Sequence, residues 1–196
     1  MKKTVNLIYE ISSLRKIART HRVVMLTDDL SDNIASHSFL VIWISYILGK
    51  YEKADIFKCM KIAMIHDMAE TRTGDLGFIN KRYVRADEHE AFKNMFGSLD
   101  DVKELIDLAN EYHVRKSIEA KIVKDADRIA QSTSLKEYIF AYNNQQAREW
   151  IESTESRDGS KWYDKFFTKT GRKLAKLVRN ASPNEWAKEL ATEKRK

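Results

Sequence analysis

The chain has 196 residues, of which 43% are hydrophobic and 33% charged, a balance that suits one hydrophobic core and excludes both a disordered polymer and a lipid-embedded bundle. Six Gly and one Pro are too few breakers for a β-rich fold, so an all-α class is expected. The net charge of +6 is uneven, because residues 161–196 carry eleven Lys and Arg against four acidic residues and leave the rest near neutrality. A basic tail attracts nucleic acid or anionic substrates, or is simply the solvated face of a terminal helix.

The opening residues are basic, but Glu10 and Arg15 interrupt any run that would serve as a signal peptide. Ile8, Ile11, Leu14 and Ile17 recur every three residues and predict a first helix ending near Arg19. Asp28, Asp29, Ser31 and Asp32 are cap-forming residues ahead of a second helix, about Asp32 to Gly49, with Ile34, Val41, Ile44 and Leu48 on its apolar face and His37 in its first turns. Its longest apolar run, Phe39 to Leu48, is interrupted by Ser45 and falls far short of the roughly 20 residues that span a bilayer, so no membrane partner is expected.

A third helix is predicted from about Lys53 to Glu70, burying Ile56, Cys59 or Met60, Ala63 and Met64, with His66, Asp67 and Glu70 in its last turns. Spacings of three and four would bring those three groups to one surface. Thr71 to Gly77 reads as a turn in which Gly74 and Gly77 let Asp75 point back toward His66. Shorter helices follow around Ala86–Phe96 and Asp100–Tyr112. Ser117 opens a long helix to about Ile151, with Ile118, Ile122, Ala126, Ile129 and Thr133 on its apolar face. Asp127 lies beside that face and needs a partner if ionised; Asp125, about 200° around the helix, is assigned to the surface or to supporting contacts. After a polar loop at Ser153–Ser160, Trp162, Phe166, Phe167, Leu174 and Leu177 mark another amphipathic helix, and Ser182-Pro183-Asn184-Glu185 caps a short closing one. One domain over 1–196 is expected, with a core at about 14–152 and C-terminal helices at about 161–193. The single cysteine, Cys59, cannot form an internal disulfide, which accords with a cytoplasmic location.

His37, His66, Asp67 and Asp127 form the constellation with the clearest chemistry. Imidazole and carboxylate donors suit one divalent transition cation (Mn, Fe, Co, Ni or Zn), and four ligands leave positions for water and a phosphate oxygen. Such a cation acidifies water and polarises a phosphoryl oxygen. Glu70 is placed to move a proton or, alternatively, to support a ligand.

The stretches Asn33-Ile-Ala-Ser-His37-Ser, Met64-Ile-His66-Asp67-Met-Ala-Glu70-Thr-Arg-Thr-Gly-Asp75-Leu and Val123-Lys-Asp-Ala-Asp127-Arg, with Thr168-Lys-Thr-Gly-Arg-Lys and Pro183-Asn-Glu-Trp186, resemble the HD-domain metal-dependent phosphohydrolases, in particular the 5′-deoxynucleotidase branch. The resemblance spans about Leu14 to Trp186 and implies a helical bundle holding one metal through His37, His66, Asp67 and Asp127. It implies catalytic roles for Glu70 and Asp75, and a substrate pocket of Arg19, Thr20, Asp67, Asp75, Gly77, Phe78 and Asp127, in which Arg19 orients the phosphate through its planar fork. A solvated helix-end role is the alternative for Arg19.

This chain departs from that pattern where Thr20 replaces a Trp that packs on the sugar, where the residues after Asp75 lack proline, and where Ser36 replaces a Glu before the first histidine. The expected activity is hydrolysis of 5′-deoxynucleoside monophosphates or related nucleotides to nucleoside and phosphate by a homodimer or larger homo-oligomer, with no nucleic-acid partner. The alternatives are a deoxynucleoside triphosphate hydrolase with the same metal core, and a non-catalytic nucleic-acid-binding or regulatory protein of the same fold. His89 and His113 are read as helix-surface and helix-end residues, and His21 as a neighbour of Arg19.

Overall fold

The computed structural model describes residues 1–152 and 162–192. The expected polar loop at Ser153–Ser160 and the side chain of Trp162 lie outside them. The described residues are helical with no strand; one isolated antiparallel bridge joins Ala18 to Asn33. In chain order the helices are α1 (Lys2–Ser12), α2 (His21–Met25), α3 (Ile34–Glu52), α4 (Ile56–Ile65), α5 (Glu70–Thr73), α6 (Glu88–Phe96), α7 (Val102–Val114), α8 (Ile118–Tyr142), α9 (Gln145–Glu152), α10 (Lys169–Asn180) and α11 (Glu185–Thr192). Three 3₁₀ turns add Ser13–Lys16, Asn80–Arg82 and Trp162–Lys165.

Side-chain caps start the helices that frame the bundle. Asn33 accepts from the Ser36 amide, Asp55 from Lys58, Asp87 from Glu90, Ser117 from Ala120 and Thr168 from Gly171, each satisfying a backbone donor that the first turn leaves free. The cap of α3 is therefore Asn33, one residue later than the predicted start at Asp32.

Helix ends differ more from expectation. Gly49 does not stop α3, which continues to Glu52 and closes through Lys53 in the left-handed region, φ 56°. Gly49 serves packing instead, since a Cβ there would already touch Cys59 Sγ at 3.5 Å and Ile56 Cγ1 at 3.6 Å. The predicted 117–151 helix breaks at Asn143, φ 50°, and resumes as α9. Asn144 stabilises the corner by donating to Met25 O at 2.7 Å and accepting from the Ala147 amide at 2.9 Å.

The core sits where α3, α4 and α8 pack together, with α7 and α10 against α8. Val41, Leu48, Ile62, Ile122, Val123 and Ile129 are almost fully excluded from water, each contributing about 1.5–3 kcal/mol of apolar burial. A smaller cluster of Met25, Leu135, Tyr138, Ala147 and Ile151 fastens α9 to α2 and α8. Five residues expected on apolar faces are corrected: Ile8 is exposed while Leu7 takes its place, and Met64, Ile118, Phe167 and Leu177 face outward, Phe167 lying before α10 begins. Their helices turn the stripe by one position, which helical spacing alone leaves open.

Asp125 lies at neither the surface nor the candidate site. It is completely buried and accepts three bonds, from the amides of Phe167 and Thr168 and from Thr168 Oγ1, all at 2.8 Å. This carboxylate binds the start of α10 to α8. Gly171 makes room for it, because a Cβ there would collide with Asp125 Oδ2 and Thr168 Oγ1.

Candidate active site

The third predicted helix does not run through to Glu70. α4 ends at Ile65, and the chain then tightens, with Met68 N bonding Ile65 O, Glu70 N bonding Asp67 O and Thr71 N bonding Met68 O. Bonds between residues three apart make about three residues per turn, which aligns positions three apart instead of four. Asp67 and Glu70 thus share one side of the turn, while His66 caps α4.

His66 Nδ1 lies 2.7 Å from the Ala63 carbonyl; donating there places the proton on Nδ1 and leaves the Nε2 lone pair free to face inward. Nε2 of His66 is 3.0 Å from Asp67 Oδ2, and Nε2 of His37, on the first turn of α3, is 3.7 Å from the same oxygen and 3.1 Å from Asp127 Oδ1 of α8. Ligand atoms of His37, His66 and Asp127 all lie within 4.8 Å of one another. Both Nε2 atoms are buried and neither makes an aligned hydrogen bond. Two orphaned imidazole nitrogens facing two carboxylates fit a divalent cation well, since a shared cation satisfies all four groups.

Charge is strongly perturbed here. Burial opposes ionisation of Asp67, yet His66 and His37 outweigh it and hold the carboxyl far below its usual range. For Asp127 burial is likewise overcome, by Lys124 and His37. Burial, reinforced by Arg19, keeps His37 below the ordinary imidazole value, which favours the neutral ring a cation needs. Glu70 behaves oppositely: burial first, then the Asp67 and Asp75 charges, push it up to about 10. Its Oε2 is buried without a partner. A carboxyl in that environment holds its proton near neutrality.

Arg19 does not end a helix. Its amide bonds Asp32 O in the short bridged segment between the 3₁₀ turn and α2, and its buried guanidinium reaches Asp67 Oδ2 at 3.4 Å and Asp75 Oδ2 at 3.7 Å. The solvated alternative is excluded by this burial. Asp75 follows Gly74, whose φ of 72° makes the turn, and its Oδ2 accepts from the Thr20 amide at 2.7 Å while its carbonyl accepts from Thr20 Oγ1. Thr20 in turn presses on Gly77: a Cβ at Gly77 would come within 2.9 Å of Thr20 Cγ2.

All of these groups except His37 line a cavity of about 660 Å³, together with Gly77 and Phe78, within the range of about 300–1,000 Å³ typical of ligand sites. Sequence reasoning missed several other walls. The Tyr112 hydroxyl donates to Asp127 Oδ2 at 3.1 Å, and Lys124 Nζ approaches the same oxygen at 2.7 Å. Lys124, one turn before Asp127, carried a usable signal in its spacing; Tyr112 on α7 carried none. Arg115, Gln131 and Trp150 also face the cavity. His113, in the last turn of α7 as expected, lines it too, 3.8 Å from Glu88. His21 is buried against Asp32, Nε2 to Oδ2 2.7 Å, where Tyr138 also donates at 2.6 Å. That cluster anchors the Arg19 segment. His89 is exposed, as expected.

A family model described as HD domain matches residues 11–168, and the chain belongs to the HD-domain family. The 5′-deoxynucleotidase HDDC2 of Danio rerio is 30% identical over 136 residues, covering 65% of this chain and 66% of that protein. The Homo sapiens protein of the same name is 30% identical, covering 65% and 64%. The 5′-deoxynucleotidase hdd1 of Schizosaccharomyces pombe is 26% identical over 154 residues, covering 73% and 77%. The chain spans just under two thirds of the length of the first two relatives. Among solved structures, a conserved hypothetical protein from Pyrococcus furiosus shares the fold with TM-score 0.71 at 24% identity, covering 90% of this chain and 99% of that one. A predicted metal-dependent phosphohydrolase from Magnetospirillum magnetotacticum does so with TM-score 0.66 at 23% identity, covering 90% and 89%.

Proposed function

We propose that this chain is a metal-dependent phosphomonoesterase that hydrolyses 5′-deoxynucleoside monophosphates to nucleoside and inorganic phosphate. The observation that carries the reading is the convergence of two orphaned imidazole nitrogens and two carboxylates beside a buried arginine. The names of the HDDC2 and hdd1 relatives agree with it.

His37, His66, Asp67 and Asp127 would hold one divalent cation, with Mn, Co, Fe, Ni and Zn all compatible with this donor set. When bound, it supplies Lewis-acid polarisation of the phosphoryl group and a readily deprotonated water. Arg19, charged and aimed between Asp67 and Asp75, binds the non-bridging phosphate oxygens and neutralises the charge that builds there. Asp75 keeps Arg19 and Thr20 in register through its bonds to Thr20. As water adds to phosphorus and the phosphorus–oxygen ester bond breaks, Glu70 gives its proton to the departing 5′ oxygen, and the proton shed by the water restores it. Tyr112 and Lys124 fix the orientation of Asp127.

We further propose that residues 1–196 form one functional unit and act in the cytoplasm, a compartment that the single buried thiol of Cys59 supports. Two copies would form a homodimer. Phe39, Trp43, Ile47 and Tyr51, four residues apart along α3, are 65%, 51%, 40% and 71% exposed and form an apolar stripe suited to a symmetric contact. No helix among the described residues is long and apolar enough to cross a membrane.

A panel of nucleoside mono- and triphosphates incubated with Mn, Co, Mg and Zn, with both orthophosphate and triphosphate measured, tests the reading. Orthophosphate from deoxynucleoside monophosphates is expected. Triphosphate release would assign a triphosphohydrolase instead, and salt-sensitive DNA binding without phosphate release would assign a binding protein.

A further inference from the structure

The lining of the cavity changes character along its length. The segments 19–24 and 75–79 run side by side: Arg19 lies against Asp75, Thr20 against Gly77, and beyond them Val23, Val24, Phe78 and Ile79 enter the wall. Where the phosphate end is built from ions, Val23, Val24, Phe78 and Ile79 give this end an apolar stretch, with Asn80 and Lys81 beside it.

Trp150 completes it from a different element. Its ring centroid lies 5.8 Å from that of Phe78 at an interplanar angle of 55°. It reaches the cavity because the chain turns at Asn143 and α9 folds back onto α2, with Asn144 tied to Met25. Thr20, meanwhile, is pinned between Asp75 and Gly77 and presents no ring. The half-buried indole and the 40% exposed phenyl of Phe78 are aromatic surfaces of the cavity wall, as is Tyr112, whose hydroxyl is already taken up by Asp127. Gln131, one turn beyond Asp127 on α8, lines the same cavity.

Resting on the phosphomonoesterase reading, we infer that Trp150, backed by Phe78, is the nucleobase platform of this site, so that the substrate is recognised as a nucleotide and not merely as a sugar phosphate. Every base has a π face, so such a platform confers a requirement for a base with little discrimination between bases.

The test compares binding of 2′-deoxyadenosine 5′-phosphate and 2-deoxyribose 5-phosphate to the full chain by calorimetry with Mn present. The wild-type protein should prefer the nucleotide by roughly 10- to 100-fold, the scale of one base–aromatic stack. Trp150→Ala should reduce that ratio to a few-fold at most, and Trp150→Phe should restore most of it. Equal binding of the two ligands by the wild-type protein, no binding of either, or an unchanged ratio in Trp150→Ala overturns the inference.

Should Trp150→Ala not fold, indole fluorescence provides the second readout. Nucleotide should quench the wild-type signal and leave Trp150→Phe unaffected; identical responses in the two proteins overturn the platform. Phosphate release with a Trp150-independent preference removes the platform alone. Trp150-dependent nucleotide binding without phosphate release removes the phosphatase reading and leaves the platform standing.

Discussion

His37 on α3 and Asp127 on α8 meet with Nε2 3.1 Å from Oδ1, and the opposite oxygen of Asp127 is held by Tyr112 and Lys124. One carboxylate therefore joins the candidate metal centre to α7 and to its own helix. Asp127→Ala should abolish metal retention and phosphate release together, read by elemental analysis and a phosphate assay. Tyr112→Phe removes only the orienting bond and should weaken metal affinity or turnover by roughly 10–100-fold. Full activity in a metal-replete Asp127→Ala protein would remove Asp127 from the ligand set.

Glu70 is a test of catalysis separate from metal binding. Its side chain lines the cavity with one oxygen unpaired, so Glu70→Gln preserves shape and removes the transferable proton. Metal content should stay near wild type while kcat falls by roughly 10²–10⁴-fold. An unchanged kcat would leave Glu70 a structural residue.

Arg19 faces two carboxylates through two different nitrogens, a geometry that a lysine ammonium cannot reproduce. Arg19→Lys should lower kcat/KM by roughly 10²-fold, the scale of a misplaced reacting group, with the helical circular dichroism unchanged. Thr20→Trp, which restores the ring of the resembling enzymes, should not sharpen sugar discrimination here. Its ring would enter the space where Thr20 already presses on Gly77, so lost activity and a lower Tm are expected, and a stable, more selective Thr20→Trp enzyme would contradict this packing.

Gly171→Ala tests the lock between α8 and α10. The added methyl would collide with Asp125 and Thr168, and overpacking of this kind costs about 1–3 kcal/mol. Urea denaturation should show that loss as a lower midpoint with an unchanged slope.

Glu10 and Arg72 join α1 to α5 through a two-pronged contact, Nε to Oε1 at 2.6 Å and Nη2 to Oε2 at 3.1 Å. The Arg72 bond holds the Glu10 carboxyl below its ordinary value of 4.5 despite burial. The unfolded chain then binds more protons between the two pKa values, so this contribution is present above about pH 4.5 and fades as pH falls through the folded value. Partial exposure limits it to about 0.5–1 kcal/mol. Glu10→Gln should be less stable than wild type at pH 7 by that amount, and the two proteins should converge in acid; a gap that persists at low pH would assign it to packing.

Much of this protein was legible in the sequence because local chemistry decides it. The shortage of Gly and Pro gave a helical chain, the capping residue Ser117 marked the start of the long helix, and the order of His37, His66-Asp67 and Asp127 pointed to one cluster. Tertiary structure decided the rest. Left-handed residues at Lys53 and Asn143 end helices without glycine, since the contacts around each corner outweigh the modest local cost of that conformation. The turn after Ile65 takes three-apart hydrogen bonds that keep Asp67 and Glu70 on one side, a tighter spacing than the helical periodicity implies. Asp125 and Asp127 are chemically identical and two positions apart, yet one is buried against α10 and the other faces the cavity. The helical offset already set the two on different sides of α8, but residue type carries no information about which neighbour a helix face will meet, and only the packing of α8 against α10 turned the expected surface or supporting position of Asp125 into a buried lock.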